Sequence, residues 1–141
     1  MEGQITMTDP IAIALLVAVA LLLLLPRLLP RLLVGLRSFI SPLELKRRLD
    51  AGEKLLVLDV RTPGEFHQAH IPGAVNIPLV KLPPQPSGRV LYDPDTAVVT
   101  VCQTDLRAGL AARKLRRMGF GRVWVLSGGM NNWSSDHLPT E

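Results

Sequence analysis

The sequence predicts an α/β domain, a parallel sheet flanked by helices on both faces, preceded by one N-terminal transmembrane helix. Three observations predict this. Residues 10–26 carry no charge and are almost wholly aliphatic, the hydropathy of a membrane helix. Two runs of strand length that are apolar but for Asp59 and Thr100, residues 55–60 and 97–101, have the character of strands buried on both faces, as parallel strands are. From Ser41 onward, strand-like and helix-like segments alternate at the spacing of parallel α/β units. At 141 residues there is room for one ordinary domain and an appendage.

The chain divides into a short tail at residues 1–9, the transmembrane helix at 10–26, a juxtamembrane linker at 27–40 and the domain at 41–141. As a helix, residues 10–26 would span about 25 Å, the short end of what a bilayer core requires. Beyond it, Arg27 and Arg31 stand one helical turn apart among leucines, a pattern that lets arginines snorkel. Pro26 and Pro30 predict a kink or break there, with residues 27–36 lying along the interface. No Lys or Arg precedes the apolar run and no small-residue cleavage site follows it, which argues against a signal peptide. Arg27, Arg31, Arg37, Lys46, Arg47 and Arg48 all follow the run. The positive-inside rule therefore predicts a single-pass protein of the cell (inner) membrane with its C-terminal domain in the cytoplasm.

Within the domain, Ser41, Pro42 and Glu44 form a capping box with proline at the first helical position, predicting a helix to about Asp50. A strand follows at residues 55–60. Thr62, Pro63 and Glu65 repeat the capping logic, predicting a short helix around residues 65–69. Ile71-Pro72-Gly73 turns into a second short strand ended by Pro78. Four prolines and a glycine make residues 81–95 an irregular excursion. The strand at 97–101 is followed by a helix from about Ala108 that stops at Gly119, then by a strand at 122–126 and a closing turn or helix through Trp133.

The only cysteine, Cys102, falls between the 97–101 strand and the helix after it. In open α/β sheets ligands bind beyond the carboxyl ends of the strands. There the free N–H groups and dipole of the next helix favour an anion. A cysteine in that position beside Arg107 is expected to have a lowered pKa and raised reactivity; the plainer alternative is a small buried hydrophobe. A single cysteine excludes an intramolecular disulfide and suits a reducing compartment. The net charge of +4 is divided between the membrane-proximal segment and one helix, and aromatic residues make up only 4%; nucleic acid is therefore not the expected partner. His67 and His70 lack companions with metal-ligand spacing, so no metal or other cofactor is expected. Arg113, Lys114, Arg116 and Arg117 are read as a solvated helix face.

Four segments together resemble the rhodanese (thiosulfate sulfurtransferase) domain: Leu58-Asp59-Val60-Arg61-Thr62-Pro63-Gly64-Glu65-Phe66, His70-Ile71-Pro72-Gly73-Ala74-Val75-Asn76-Ile77-Pro78, the Cys102 loop, and Leu126-Ser127-Gly128-Gly129-Met130 with Trp133. The likeness runs over about residues 41–139, and the N-terminal anchor is similar to that of membrane-bound single-domain members. It implies a rhodanese-like sheet fold. It also implies that Cys102 is a nucleophile that takes sulfane sulfur from thiosulfate or a low-molecular-weight persulfide, becomes a persulfide, and passes the sulfur to a thiol or other thiophilic acceptor. By the same resemblance Gln103, Thr104, Asp105 and Leu106 supply backbone donors to the loop, and Arg107 closes it and binds an anionic donor or supports the loop. Asp59 and Arg61 match a supporting strand end. A loop of six residues from Cys102 to Arg107 is one shorter than in phosphatases and arsenate reductases of related fold, which favours sulfur over an oxyanion. The chain departs from the pattern in having Asp105 where many members have glycine, Ala108 where serine or threonine is common, and Ala69 where glycine usually precedes the histidine. A carboxylate facing the thiolate would raise its pKa and repel thiosulfate, so the direction of Asp105 decides its effect. The expected partners are the donor, a thiol acceptor, the lipid bilayer and a membrane or sulfur-relay protein. The alternative function is a membrane-tethered interaction module of rhodanese fold with little turnover.

Overall fold

A computed structural model describes residues 10–34, 38–82 and 93–141. Helix α1 (Pro10–Val34) precedes the domain. The domain then runs β1 (Phe39–Ile40), α2 (Pro42–Asp50), β2 (Leu55–Asp59), α3 (Pro63–Gln68), β3 (Val75–Asn76), a 3₁₀ turn (Leu79–Lys81), β4 (Ala97–Val101), α4 (Leu106–Arg117), β5 (Val123–Leu126) and α5 (Gly129–Ser135). Most of the irregular excursion expected at 81–95 lies outside the described residues.

The two capping boxes form as their residues dictate. The Ser41 hydroxyl accepts the Glu44 N–H at 3.2 Å. At α3 the box is reciprocal: Thr62 Oγ1 accepts from Glu65 N–H, and Glu65 Oε2 accepts from Thr62 N–H at 2.9 Å.

The sheet is parallel throughout, in the order β1-β5-β4-β2-β3. β1 is too short to register in a sequence pattern, and it pairs Ile40 with Leu126 at the sheet edge. From β2 the chain moves outward to β3; from β4 it moves the opposite way to β5. The carboxyl ends of β2 and β4 therefore flank the point where the winding reverses, where a crevice opens in folds of this kind.

Side chains along β4 alternate between two cores. Val98 points to one, with Leu58, Ala108, Ala111, Ala112, Leu115 and Phe120. Val99 and Val101 point to the other, with Leu45 of α2 and Met130 and Trp133 of α5. The sheet is thus covered by α4 on one face and by α2 and α5 on the other, as the predominantly apolar runs required. Thr100 is the one buried hydroxyl of β4, and its Oγ1 lies 3.0 Å from the carbonyl oxygen of Ala108 and 3.1 Å from that of Trp124.

Two expectations for the N-terminal segment need correction. The helix is not broken at Pro26 or Pro30 but continues to Val34. Among the described residues no helix is long and apolar enough to cross a membrane. The uninterrupted apolar stretch within α1, residues 11–25, amounts to only about 22 Å of helix. Its aliphatic side chains are nonetheless exposed, Leu22 at 76% and Leu15 at 62%.

Candidate active site

Cys102 follows the last residue of β4, and the six residues to Arg107 turn the chain into the first turn of α4. The cysteine is 1% exposed. The backbone N–H groups of Thr104, Arg107 and Ala108 are turned toward its sulfur, and each favours the thiolate, as does the positive charge of Arg107. Burial outweighs them. Desolvation pushes the Cys102 thiol above its ordinary value, which corrects the expectation of a lowered pKa: the helix N-terminus is present, but the sulfur has lost its water.

The N–H groups face inward because the carbonyls and side chains of the loop are engaged outside it. The Met130 and Asn131 N–H groups donate to the carbonyls of Cys102 and Gln103, at 2.9 and 3.2 Å. The side chain of Gln103 donates to Asn131 Oδ1 at 2.5 Å and accepts from Arg61 Nη1 at 3.3 Å. Gly129 makes the close approach to α5 feasible. Its φ is +56°, and a Cβ there would run into the carbonyl oxygens of Cys102 and Thr104.

Asp105 is engaged by the turn that follows β5. Its Oδ1 accepts the Gly128 N–H at 2.7 Å, so the carboxylate ties the loop to the β5–α5 turn. It occupies the N-cap position of α4 without capping the helix, and the N–H groups of Arg107 and Ala108 stay directed at the sulfur. A serine or threonine N-cap would compete for such donors.

Arg107 is held by a carboxylate. Its Nη1 donates to Glu65 Oε2 at 2.8 Å and its Nη2 to Glu65 Oε1 at 2.6 Å. Glu65 is fixed in turn by Thr62, whose Oγ1 also donates to Oε2 at 2.8 Å. Arg107 together with the Thr62 hydrogen bonds holds the Glu65 carboxyl well below the usual carboxylate range, and the pairing raises the pKa of Arg107.

Asp59 and Arg61 form a buried bidentate pair, with Arg61 Nε 3.0 Å and Nη2 2.7 Å from Asp59 Oδ2. Arg61 Nη2 also donates to the Ala69 carbonyl at 2.7 Å, and Asn76 donates to the carbonyls of Asp59 and Arg61, both at 3.0 Å. The pair joins the end of β2 to α3, β3 and the cysteine loop.

Asp59, Arg61 and the loop from Cys102 to Arg107 therefore meet at one sheet edge. Gln103 and Asp105 act there through side chains that brace the loop, and Leu106 stands 48% exposed at its rim. Sequence reasoning missed Ala108 as an N–H donor, Asn131 and Gly129 as props, and above all Glu65. The capping box accounted for Glu65 fully, and nothing local announces a partner 42 residues away. His70 is occupied by a ring stack with Phe66 at 3.8 Å and a contact from Nδ1 to the Phe66 carbonyl oxygen. Among the described residues no cluster of side chains suited to a metal occurs. A cleft of about 350 Å³ lined by Lys46, Leu49, Asp50, Ile71, Pro72, Trp133 and Pro139 lies on the α2–α5 side and includes none of the loop residues.

Comparison with known proteins agrees with this architecture. The chain is 35% identical over 89 residues to the "putative sulfur carrier protein YrkF" of Bacillus subtilis, covering 63% of this chain and 46% of that protein, so it spans less than half of that relative. It is 36% identical over 95 residues to a "sulfurtransferase" of Allochromatium vinosum, covering 67% of this chain and 86% of that one. Among solved structures, the BH2092 protein of Bacillus halodurans superposes with a TM-score of 0.66 at 27% identity over 82% of this chain and 85% of that chain. The model of the rhodanese-like domain matches residues 41–136, and the chain accordingly belongs to the rhodanese-like domain family.

Proposed function

We propose that this protein is a sulfurtransferase that carries sulfane sulfur as a persulfide on Cys102, with its domain held at the cytoplasmic face of a membrane by α1. The observation that carries the chemistry is the Cys102 loop, with N–H groups of Thr104, Arg107 and Ala108 turned onto one sulfur. A ring of such donors stabilises negative charge first on the attacking thiolate and then on the outer persulfide sulfur. Relatives named as a sulfurtransferase and as a sulfur carrier support the same reading.

The Cys102 thiolate attacks the sulfane sulfur of the donor. A new S–S bond forms as the bond from that sulfur to sulfite, or to the donor thiolate, breaks and the leaving group departs with the electron pair. An acceptor thiolate then attacks the outer sulfur and Cys102 leaves as the thiolate, so no external oxidant is needed. Asp59 and Arg61 keep the loop in register, and Arg107 supplies positive charge that favours the thiolate.

For the anchor, the support is the exposed aliphatic surface of α1 over residues 11–25, which would cost several kcal/mol to keep in water, and the basic residues that follow it, which an anionic membrane surface attracts. The burial and raised pKa of Cys102 favour a second reading, a membrane-tethered interaction module with little turnover. Intact mass of the protein after incubation with thiosulfate or a persulfide separates the two. Since Cys102 is the only cysteine, a gain of one sulfur atom that disappears in Cys102→Ser supports transfer, and no gain with either donor supports the interaction module.

A further inference from the structure

We propose that Glu65, by its two hydrogen bonds to Arg107, selects the sulfur donor, disfavouring dianionic thiosulfate and favouring uncharged or singly charged persulfides. This rests on the sulfur-transfer reading above and names the donor class within it. Glu65 is a positioning residue that acts through Arg107.

Both guanidinium groups at the loop already have a carboxylate. Arg107 is paired in two-pronged fashion with Glu65, and Arg61 likewise with Asp59. With Asp105, whose carboxylate is bonded to the Gly128 N–H, the loop and the residues bonded to it bring two positive and three negative side chains. A dianion approaching Cys102 thus meets no net positive charge in this set. Arg107 could be released only by breaking both of its hydrogen bonds to a carboxylate that Thr62 also holds in place. Charge-assisted pairs of this geometry are the strong ones.

The transfer written for the favoured donor balances without a co-reactant. The Cys102 thiolate and R–S–SH give Cys102–S–SH and the thiolate R–S⁻, with one S–S bond formed and one broken. For thiosulfate the leaving group is sulfite, and the incoming dianion must pass Glu65.

Glu65→Gln is the informative substitution, because glutamine at the third helical position still completes a capping box while the charge is lost. Second-order loading rates of the full chain in nonionic detergent, followed by quenched intact mass, are compared for thiosulfate and cysteine persulfide. The ratio of thiosulfate to persulfide rates is expected to rise about threefold in Glu65→Gln against a singly charged persulfide and about tenfold against an uncharged one, the effect of one elementary charge at about 6 Å in a water-like dielectric on the difference in donor charge. Arg107→Gln, which leaves Glu65 charged, should move the ratio by a similar factor the other way. Were Glu65 only a helix cap, both rates would change together and the ratio would stay put, which overturns the proposal, as would a wild type that loads faster from thiosulfate. Absence of loading from both donors would instead defeat the sulfur-transfer reading itself, and is distinguishable for that reason.

Discussion

Cys102 is placed between opposing influences, and their balance is measurable. Three N–H groups and Arg107 favour the thiolate, while burial disfavours it more strongly. Alkylation of Cys102 is therefore expected to accelerate with pH through a midpoint above the ordinary thiol value, and a plateau already reached at neutral pH would contradict this. Freeing Arg107 in Glu65→Gln should move that midpoint down. Asp105 works in a different way. Replacement by alanine leaves the Gly128 N–H without its acceptor, at a cost of about 1–2 kcal/mol, and slackens the loop. Asparagine, which can still accept that hydrogen bond, should recover most of both in denaturant unfolding and sulfur-loading assays.

At the scale of elements, the junction of the Cys102 loop with α5 is the critical packing. A methyl group at Gly129 would meet two loop carbonyls at a positive φ, so Gly129→Ala is expected to cost about 1–3 kcal/mol and to depress sulfur loading, since the N–H groups can no longer converge on Cys102. The link from α3 to α4 through Glu65 and Arg107 adds a pH dependence. Pairing depresses the folded-state pKa of Glu65, so its contribution is complete above the unfolded value of about 4.3 and is lost as pH falls through the folded value. Wild type should thus lose stability in acid relative to Glu65→Gln, a difference that parallel urea titrations at neutral and acid pH would measure. Much of this level was legible in advance. Capping boxes at Ser41 and Thr62 and the apolar runs at 55–60 and 97–101 dictate local structure through nearest-neighbour chemistry. β1 was not, because two residues carry no periodicity, and neither was the start of α4 at Leu106.

Across the whole molecule, the reversal of winding between β2 and β4 gathers the site. It brings residues 59–61 and 102–107 to one edge although they are some 40 positions apart. The order of motifs made that gathering legible as a family resemblance, whereas the pairing of individual side chains was not, because Glu65–Arg107 and Asp105–Gly128 depend on tertiary placement alone. Leu45 and Trp133 are fully buried beneath the sheet, and Leu45→Ala should destabilise the domain by about 2–5 kcal/mol in denaturant titration. The N-terminal helix marks the other boundary of legibility: its hydropathy was plain, but its continuation past two prolines was not. Its apolar surface predicts that the full chain floats with phospholipid vesicles in a density gradient and that a chain lacking residues 1–34 stays in the soluble fraction.

The most direct test of a transferable sulfur on Cys102 is a load-and-discharge cycle followed by intact mass. Protein exposed to a persulfide donor and freed of excess reagent should be heavier by one sulfur atom. It should return to its starting mass when a thiol acceptor is added, and Cys102→Ser should do neither. A wild-type mass that never rises, or a sulfur that Cys102→Ser retains, would contradict the account.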